Sequence, residues 1–239
     1  MKKNIPNILT LTNLSIGLCS IIWAAQNKEN LVFCSWLILI AMLFDFMDGK
    51  LARFLKVSSD FGKQLDSLAD MISFGVAPAI IVFQLIHTYN PHNTKLAYIA
   101  FMIPICSALR LANYNIDKKQ GNEFIGITTP INALFFCSIP LIINQEESIN
   151  YNEGNEFILS FITNVNFLFI TTIVFSLLLI SPLKTFSLKS SNKNILEKRI
   201  KFIFIITSII LFFLLKYTAF PIIVFFYIFL SIIFSLNKN

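Results

Sequence analysis

The chain is short of charge. Asp, Glu, Lys and Arg make up 13% of its 239 residues, and only two histidines are present. A soluble domain usually carries about 25% charged residues. Too little polar surface is therefore available to meet water on every side. Hydrophobic residues account for 56% and the mean hydropathy is +0.71, so the bilayer is the expected solvent. Cysteine is sparse as well. Cys19, Cys34, Cys106 and Cys137 each lie in an apolar run and form no CxxC pair. That argues against a zinc site or a disulfide framework and leaves them as small packing residues. No basic stripe interleaved with aromatics is present, which excludes nucleic acid as a partner. There is also no internal repeat, no phosphate-binding glycine loop and no nucleophilic serine motif. Apolar spans occupy most of residues 1–239, leaving no room for a separate soluble domain, so one membrane-embedded domain is expected.

What the chain does have is long apolar runs. A helix crossing the hydrocarbon core needs about 20 residues. Eight stretches qualify as candidates: roughly 8–25, 31–53, 62–88, 95–116, 129–143, 157–181, 201–216 and 219–236. All should be helical, because lipid cannot satisfy unpaired backbone groups. The expected fold is an all-α polytopic bundle of about eight transmembrane helices. With the N-terminus in the cytoplasm, the inner segments collect 16 of the 19 Lys and Arg, and Lys28, Lys95 and Lys216 are the three outside. This bias predicts a multi-pass inner-membrane protein with both termini in the cytoplasm. The first span begins Met1-Lys2-Lys3 but has no small-x-small cleavage site after it, and is expected to be retained. Asn144–Glu156 carries no Lys or Arg and reads as a mobile outer loop, while Lys184–Lys201 reads as a basic cytoplasmic loop. His87 and His92 fall in an external loop and are not expected to bind metal.

The second and third spans carry acids that a membrane helix ordinarily avoids: Asp45, Asp48, Asp66 and Asp70. One Asp at the centre of a membrane helix costs about 2.5–3.5 kcal/mol on insertion scales. Four of them must face the bundle interior or a wet cavity. Asp45, Asp48, Gly49 and Ala52 share one helical stripe, and Gly62, Asp66 and Asp70 share another. Ser59, Ser73 and Ala77 continue the second stripe with small residues. The expectation is two adjacent antiparallel helices presenting four carboxylates to each other across a narrow gap. Pairing with Lys50, Arg53 and Lys63 at a membrane edge would explain one such acid but not four at this spacing. No His or Cys joins the cluster, so a hard cation, Mg²⁺ or Mn²⁺, is favoured over zinc. Four aspartates suffice for two metals, an arrangement suited to phosphoryl-type displacement. A cation transporter would also place carboxylates inside a bundle.

The 26 residues from Asp45 to Asp70 resemble the signature of the CDP-alcohol phosphatidyltransferases, D-x2-D-G-x2-A-R-x8-G-x3-D-x3-D. All eight fixed positions match, as Asp45, Asp48, Gly49, Ala52, Arg53, Gly62, Asp66 and Asp70. A transporter gives no reason for Gly49, Ala52, Arg53 and Gly62 at these offsets. The resemblance implies an enzyme that releases CMP from a CDP-linked lipid and joins the phosphatidyl group to a hydroxyl. It further implies that Asp45, Asp48 and Asp66 bind the metals, and that Asp70 completes a metal site and serves as the base. Gly49, Ala52 and Gly62 would give the nucleotide close access to backbone. Arg53 would pair with the diphosphate or hold a carboxylate. Members of the family are often dimers, so a homodimer is a further expectation.

Flanking stretches resemble the branch of the family that uses L-serine as acceptor and CDP-diacylglycerol as donor. They are Ile5–Asn13, Ser73–Pro78, Arg110–Asn115 and Phe124–Pro130. Two departures stand out: Asn113 where the family has a second Arg, and Thr128 where it has a Pro. Arg110 remains as a candidate for gripping the acceptor or a phosphate, since a guanidinium captures a carboxylate or phosphate in bidentate fashion. A snorkelling arginine at a helix end is the plainer reading of the same residue. Glycerol 3-phosphate and an inositol phosphate are the alternative acceptors.

Overall fold

The structure is a computed structural model that describes residues 5–57, 59–116, 124–148, 153–185 and 195–236. Lys2, Lys3, Lys118, Lys119, Lys189, Lys193 and Lys238 of the charge tally lie outside the described residues. The elements are α1 (Ile5–Gln26), α2 (Leu31–Phe54), α3 (Asp60–Asp70), α4 (Ala77–Tyr89), α5 (Met102–Ile116), α6 (Thr129–Ser148), α7 (Glu153–Ile162), α8 (Val165–Ile180), α9 (Ile195–Leu215) and α10 (Ala219–Leu236). A π-helical turn, Met71–Val76, joins α3 to α4, so that Asp60–Tyr89 is one helical run of 30 residues. Two residues before α6, Phe124–Ile125 (β1), pair antiparallel with Lys184–Thr185 (β2). The expected all-α polytopic architecture is what the chain adopts.

The packing inverts the usual pattern of a water-soluble helix. On α1 the buried residues are Pro6, Thr10, Asn13, Gly17, Ser20 and Ala24, a seam of small and polar side chains. Its outer face carries Ile8, Leu11, Leu18 and Ile22, all exposed on the protein surface. Lipid is as apolar as leucine, so bulky side chains gain nothing by turning inward, whereas small ones let helices approach. Gly17 shows how close. A Cβ there would overlap Ser73 Oγ and lie 2.8 Å from Ser73 Cα. Ser73 Oγ donates to the carbonyl of Asn13 at 3.0 Å, which ties α1 to the π-helical turn. α1 packs along α2 and also against α3, whereas α2 and α3 approach each other only sparsely. This corrects the expected direct face-to-face pairing of the two aspartate helices. α1 lies along both, and they converge at the carboxylates.

Among the described residues, five helical segments are long and apolar enough to cross a membrane, or six if the pair around Thr163-Asn164, bent by 55°, forms one span. The sequence reading of eight is not confirmed, and the difference lies at α6 and at the last two stretches. α6 is enclosed by protein, with Phe135 stacked on Phe175 at 4.0 Å, and has no need of a lipid-compatible sequence. Its buried Asn132 and Glu146 are polar accordingly. The last two stretches form one helical run, Arg199–Ile233, by the same measure. That run nonetheless folds back at Lys216, where φ is +51°, and Phe204 meets Tyr227 at 5.8 Å between ring centroids. The outer loop expected at Asn144–Glu156 is also corrected. Asn144–Ser148 complete α6 and Glu153–Glu156 begin α7, while residues 149–152 lie outside the described residues.

Candidate active site

α2 begins at Leu31 and reaches Asp45 and Asp48 three turns or more later, near the far end of a roughly 30 Å hydrocarbon layer. Both aspartates are turned inward and are 4% exposed. α3 starts with Ser59 as its cap, the side chain accepting from the Gly62 amide at 3.0 Å. That cap sets the phase that turns Asp66 and Asp70 toward the interior, both half-buried. One carboxylate oxygen each from Asp45, Asp48 and Asp66 lies within 4.8 Å of the others. Asp70 is not a member of that trio. It sits one turn further along and interacts electrostatically with Arg110 of α5.

The donor set fits a divalent cation. Carboxylate oxygens alone, drawn from two helices and mostly enclosed, are the chemistry of a hard metal such as Mg²⁺ or Mn²⁺. Three converging carboxylates can share one cation, and a fourth on the next turn widens the set.

The remaining residues singled out from sequence take distinct places. Gly62 lies close to α1, where a Cβ would be 3.3 Å from Asn7 Oδ1. Gly49 and Ala52 are half-buried on α2, and Arg53 is exposed in its last turn. Lys50 lies over the Phe46 ring at 4.2 Å to the centroid. Arg110 is only 8% exposed, too enclosed for a snorkelling residue, and it lines a cavity of about 390 Å³. Asn113, Tyr114, Ile125, Leu179 and Ser181 share that cavity. Its far wall is held by the β1 segment. Gly126, at φ +74°, donates from its amide to Leu183 O at 2.8 Å, and the Ile127 amide donates to Leu178 O at 3.1 Å. A Cβ at Gly126 would overlap Leu179 O. The Phe124–Pro130 stretch is therefore also a strap across the end of α8.

Three residues of the site went unassigned in the sequence. Thr10 Oγ1 donates to Asp48 Oδ2 at 2.6 Å. Asn115 Nδ2 donates to Gln64 Oε1 at 3.1 Å and to Ser67 Oγ at 3.0 Å, fastening the end of α5 to α3 between the two aspartate positions. Tyr227, 2% exposed on α10, interacts with Thr185 and electrostatically with Arg110. Polar residues in an apolar helix are the signal that marks Thr10 and Asn115. A tyrosine among many aromatics gives none.

The profile of the CDP-alcohol phosphatidyltransferase family matches residues 3–159, from α1 into α7. The chain is 34% identical over 172 residues to a CDP-diacylglycerol–serine O-phosphatidyltransferase of Helicobacter pylori, covering 70% of each chain. It is 37% identical over 142 residues to the protein of the same name from Methanocaldococcus jannaschii, covering 59% of this chain and 62% of the other. An archaetidylserine synthase of Methanothermobacter thermautotrophicus is 35% identical over 141 residues, covering 57% of this chain and 58% of that protein.

Proposed function

The chain belongs to the CDP-alcohol phosphatidyltransferase family, and from that membership we propose that it transfers the phosphatidyl group of CDP-diacylglycerol to the hydroxyl of L-serine, giving phosphatidylserine and CMP. Support for the chemistry comes from the convergence of Asp45, Asp48 and Asp66 within 4.8 Å, beside the Arg110–Asp70 pair. Support for serine comes from the serine and archaetidylserine synthases among its relatives.

In this reading Asp45, Asp48 and Asp66 would hold the divalent metal, with Asp70 completing the set. A metal held there would supply charge neutralisation for the diphosphate and the departing CMP. Asp70 receives the proton of the serine hydroxyl, which is a poor nucleophile without a positioned base. The serine oxygen bonds to the phosphatidyl phosphorus, and the bond from that phosphorus to the CMP oxygen breaks. Gly49, Ala52 and Gly62 admit the nucleotide close to the α2 and α3 backbones, and Arg53 pairs with the diphosphate. Arg110 grips the serine carboxylate from the cavity it shares with Asn113, Tyr114 and Ser181. A guanidinium suits that bidentate capture. The 16-to-three charge bias supports a site that faces the cytoplasm at the inner membrane.

The test is CMP release from CDP-diacylglycerol by the purified protein in Mg²⁺ or Mn²⁺, with L-serine, glycerol 3-phosphate and an inositol phosphate supplied separately. Release with serine alone is expected. Release only with another acceptor would keep the aspartate chemistry and reject serine. No release from folded protein would reject the reaction.

A further inference from the structure

Asp48 is held by a residue that lies outside the aspartate signature. Thr10 is 38 positions away in sequence, on α1, and is as buried as Asp48 itself, each being 4% exposed. Its hydroxyl has two acceptors in reach: Asp48 Oδ2 at 2.6 Å and the Pro6 carbonyl at 3.1 Å. A hydroxyl has one proton to give. Helical threonines commonly give it to the carbonyl one turn back. Here the carboxylate oxygen is the closer acceptor, and the bond to a charged partner is the stronger of the two.

Packing alone does not call for that hydroxyl. The α1 seam is built of small side chains, and a valine would fill the same volume as Thr10. The height of Thr10 on α1 is also set independently, by the close approach of Gly17 to Ser73 and by the Ser73–Asn13 hydrogen bond. A fixed donor thus meets one oxygen of a side chain whose last torsion is otherwise broad. From this geometry, and resting on the metal reading given above, we propose that Thr10 is a positioning residue for the metal site. It commits one oxygen of Asp48 to α1 and sets the plane of the carboxylate, which directs the other oxygen toward the space shared with Asp45 and Asp66. The first helix is then a working wall of the site rather than only a membrane anchor.

The experiment compares Thr10→Val, which keeps the shape and removes the donor, with Thr10→Ser, which keeps the donor. Mn²⁺ is titrated into each purified protein without substrate, and bound metal is read from the loss of the free-ion electron paramagnetic resonance signal. Loss of a group that orients a metal ligand ordinarily costs about 10–100-fold in metal affinity. A rise of about that size in half-saturating Mn²⁺ is expected for Thr10→Val, with Thr10→Ser within roughly threefold of the parent. CMP release by Thr10→Val should recover toward the parent rate as Mn²⁺ is raised. Equal Mn²⁺ affinity in Thr10→Val and the parent, or an equal loss in both variants, would overturn the proposal. Should Thr10→Val fail to fold, Thr10→Ala gives the same comparison, and failure of both would show a purely structural hydroxyl and also overturn it. If the parent itself binds no Mn²⁺, the metal reading fails first, a result distinct from a parent that binds and a valine variant that binds equally well.

Discussion

Replacing Asp66 by asparagine should stabilise the metal-free protein while abolishing its response to metal. Asp45, Asp48 and Asp66 offer oxygens within 4.8 Å of one another. At that separation two unit charges repel by about 3.5 kcal/mol with an effective dielectric constant near 20. Asp66→Asn removes two of the three repulsions, a ceiling of about 7 kcal/mol on this scale. Proton uptake lowers the ceiling, since protonating an ordinary carboxylate three pH units above its pKa costs about 4 kcal/mol and the folded chain need never bear more than that. A gain of even 1 kcal/mol moves the unfolding midpoint by about 2–4 °C in a chain of this size. The assay is thermal unfolding in detergent, once with chelator and once with Mn²⁺. With chelator, the variant should melt above the parent. With Mn²⁺, the parent should rise and the variant should stay put, so the two curves change order. A variant that melts below the parent in chelator would refute the reasoning, because it would mean that Asp66 is held by favourable partners and not strained by its neighbours.

Asp70→Asn should abolish CMP release while CDP-diacylglycerol still protects the protein from thermal unfolding, because Asp45, Asp48 and Asp66 remain together; full turnover in the variant would remove Asp70 as the base. Arg110→Lys should raise the KM for serine at least tenfold and leave the KM for CDP-diacylglycerol near the parent value, as expected where a bidentate grip is lost. Gly17→Ala should cost about 1–3 kcal/mol, the range for overpacking. Adding Ser73→Gly should recover part of that loss by removing the Oγ and Cβ that the new methyl meets, and strict additivity in the double variant would show that the two helices are not in the contact described.

How much of this could be read in advance varies by residue. Asp45, Asp48 and Asp66 were legible because acids are rare in apolar helices, and the 3.6-residue period put the first two on one stripe. Asp70 was legible as an acid but not as an outlier, since a helical repeat cannot tell which carboxylates share one space once a third helix intervenes. The span count is not confirmed at α6. Its Asn132 and Glu146 look too polar for lipid, and are tolerated because protein buries them. The outer loop at Asn144–Glu156 failed for a related reason. Polar composition reads as loop, yet Gln145 sits on α6, its side chain accepting from the Tyr217 amide at 3.0 Å and donating to Glu146 at 3.2 Å. Tyr227 was invisible because its meaning depends on the fold-back at Lys216, which brings α10 to Arg110.

The α1 seam shows why the rest was hidden, and what to look for instead. An amphipathic helix in water is found by its apolar stripe. α1 carries its bulky apolar residues, Ile8, Leu11, Leu18 and Ile22 among them, outside a buried seam of Pro6, Thr10, Asn13, Gly17, Ser20 and Ala24, which recur at intervals of four and three. In a bilayer that inverted stripe is the packing face. The same rule applies to α2, where Cys34, Ser35, Ala41, Asp45 and Asp48 are buried while Trp36, Leu43, Phe46 and Met47 face outward. Asp45 and Asp48 are thus the polar extreme of the seam on α2. The small residues that let α1 approach α2 and the π-helical turn are the same ones that carry Thr10 to Asp48. Close packing and site construction are therefore one requirement, and a bulky substitution at Gly17 should weaken metal binding at Asp48 although the two residues do not touch.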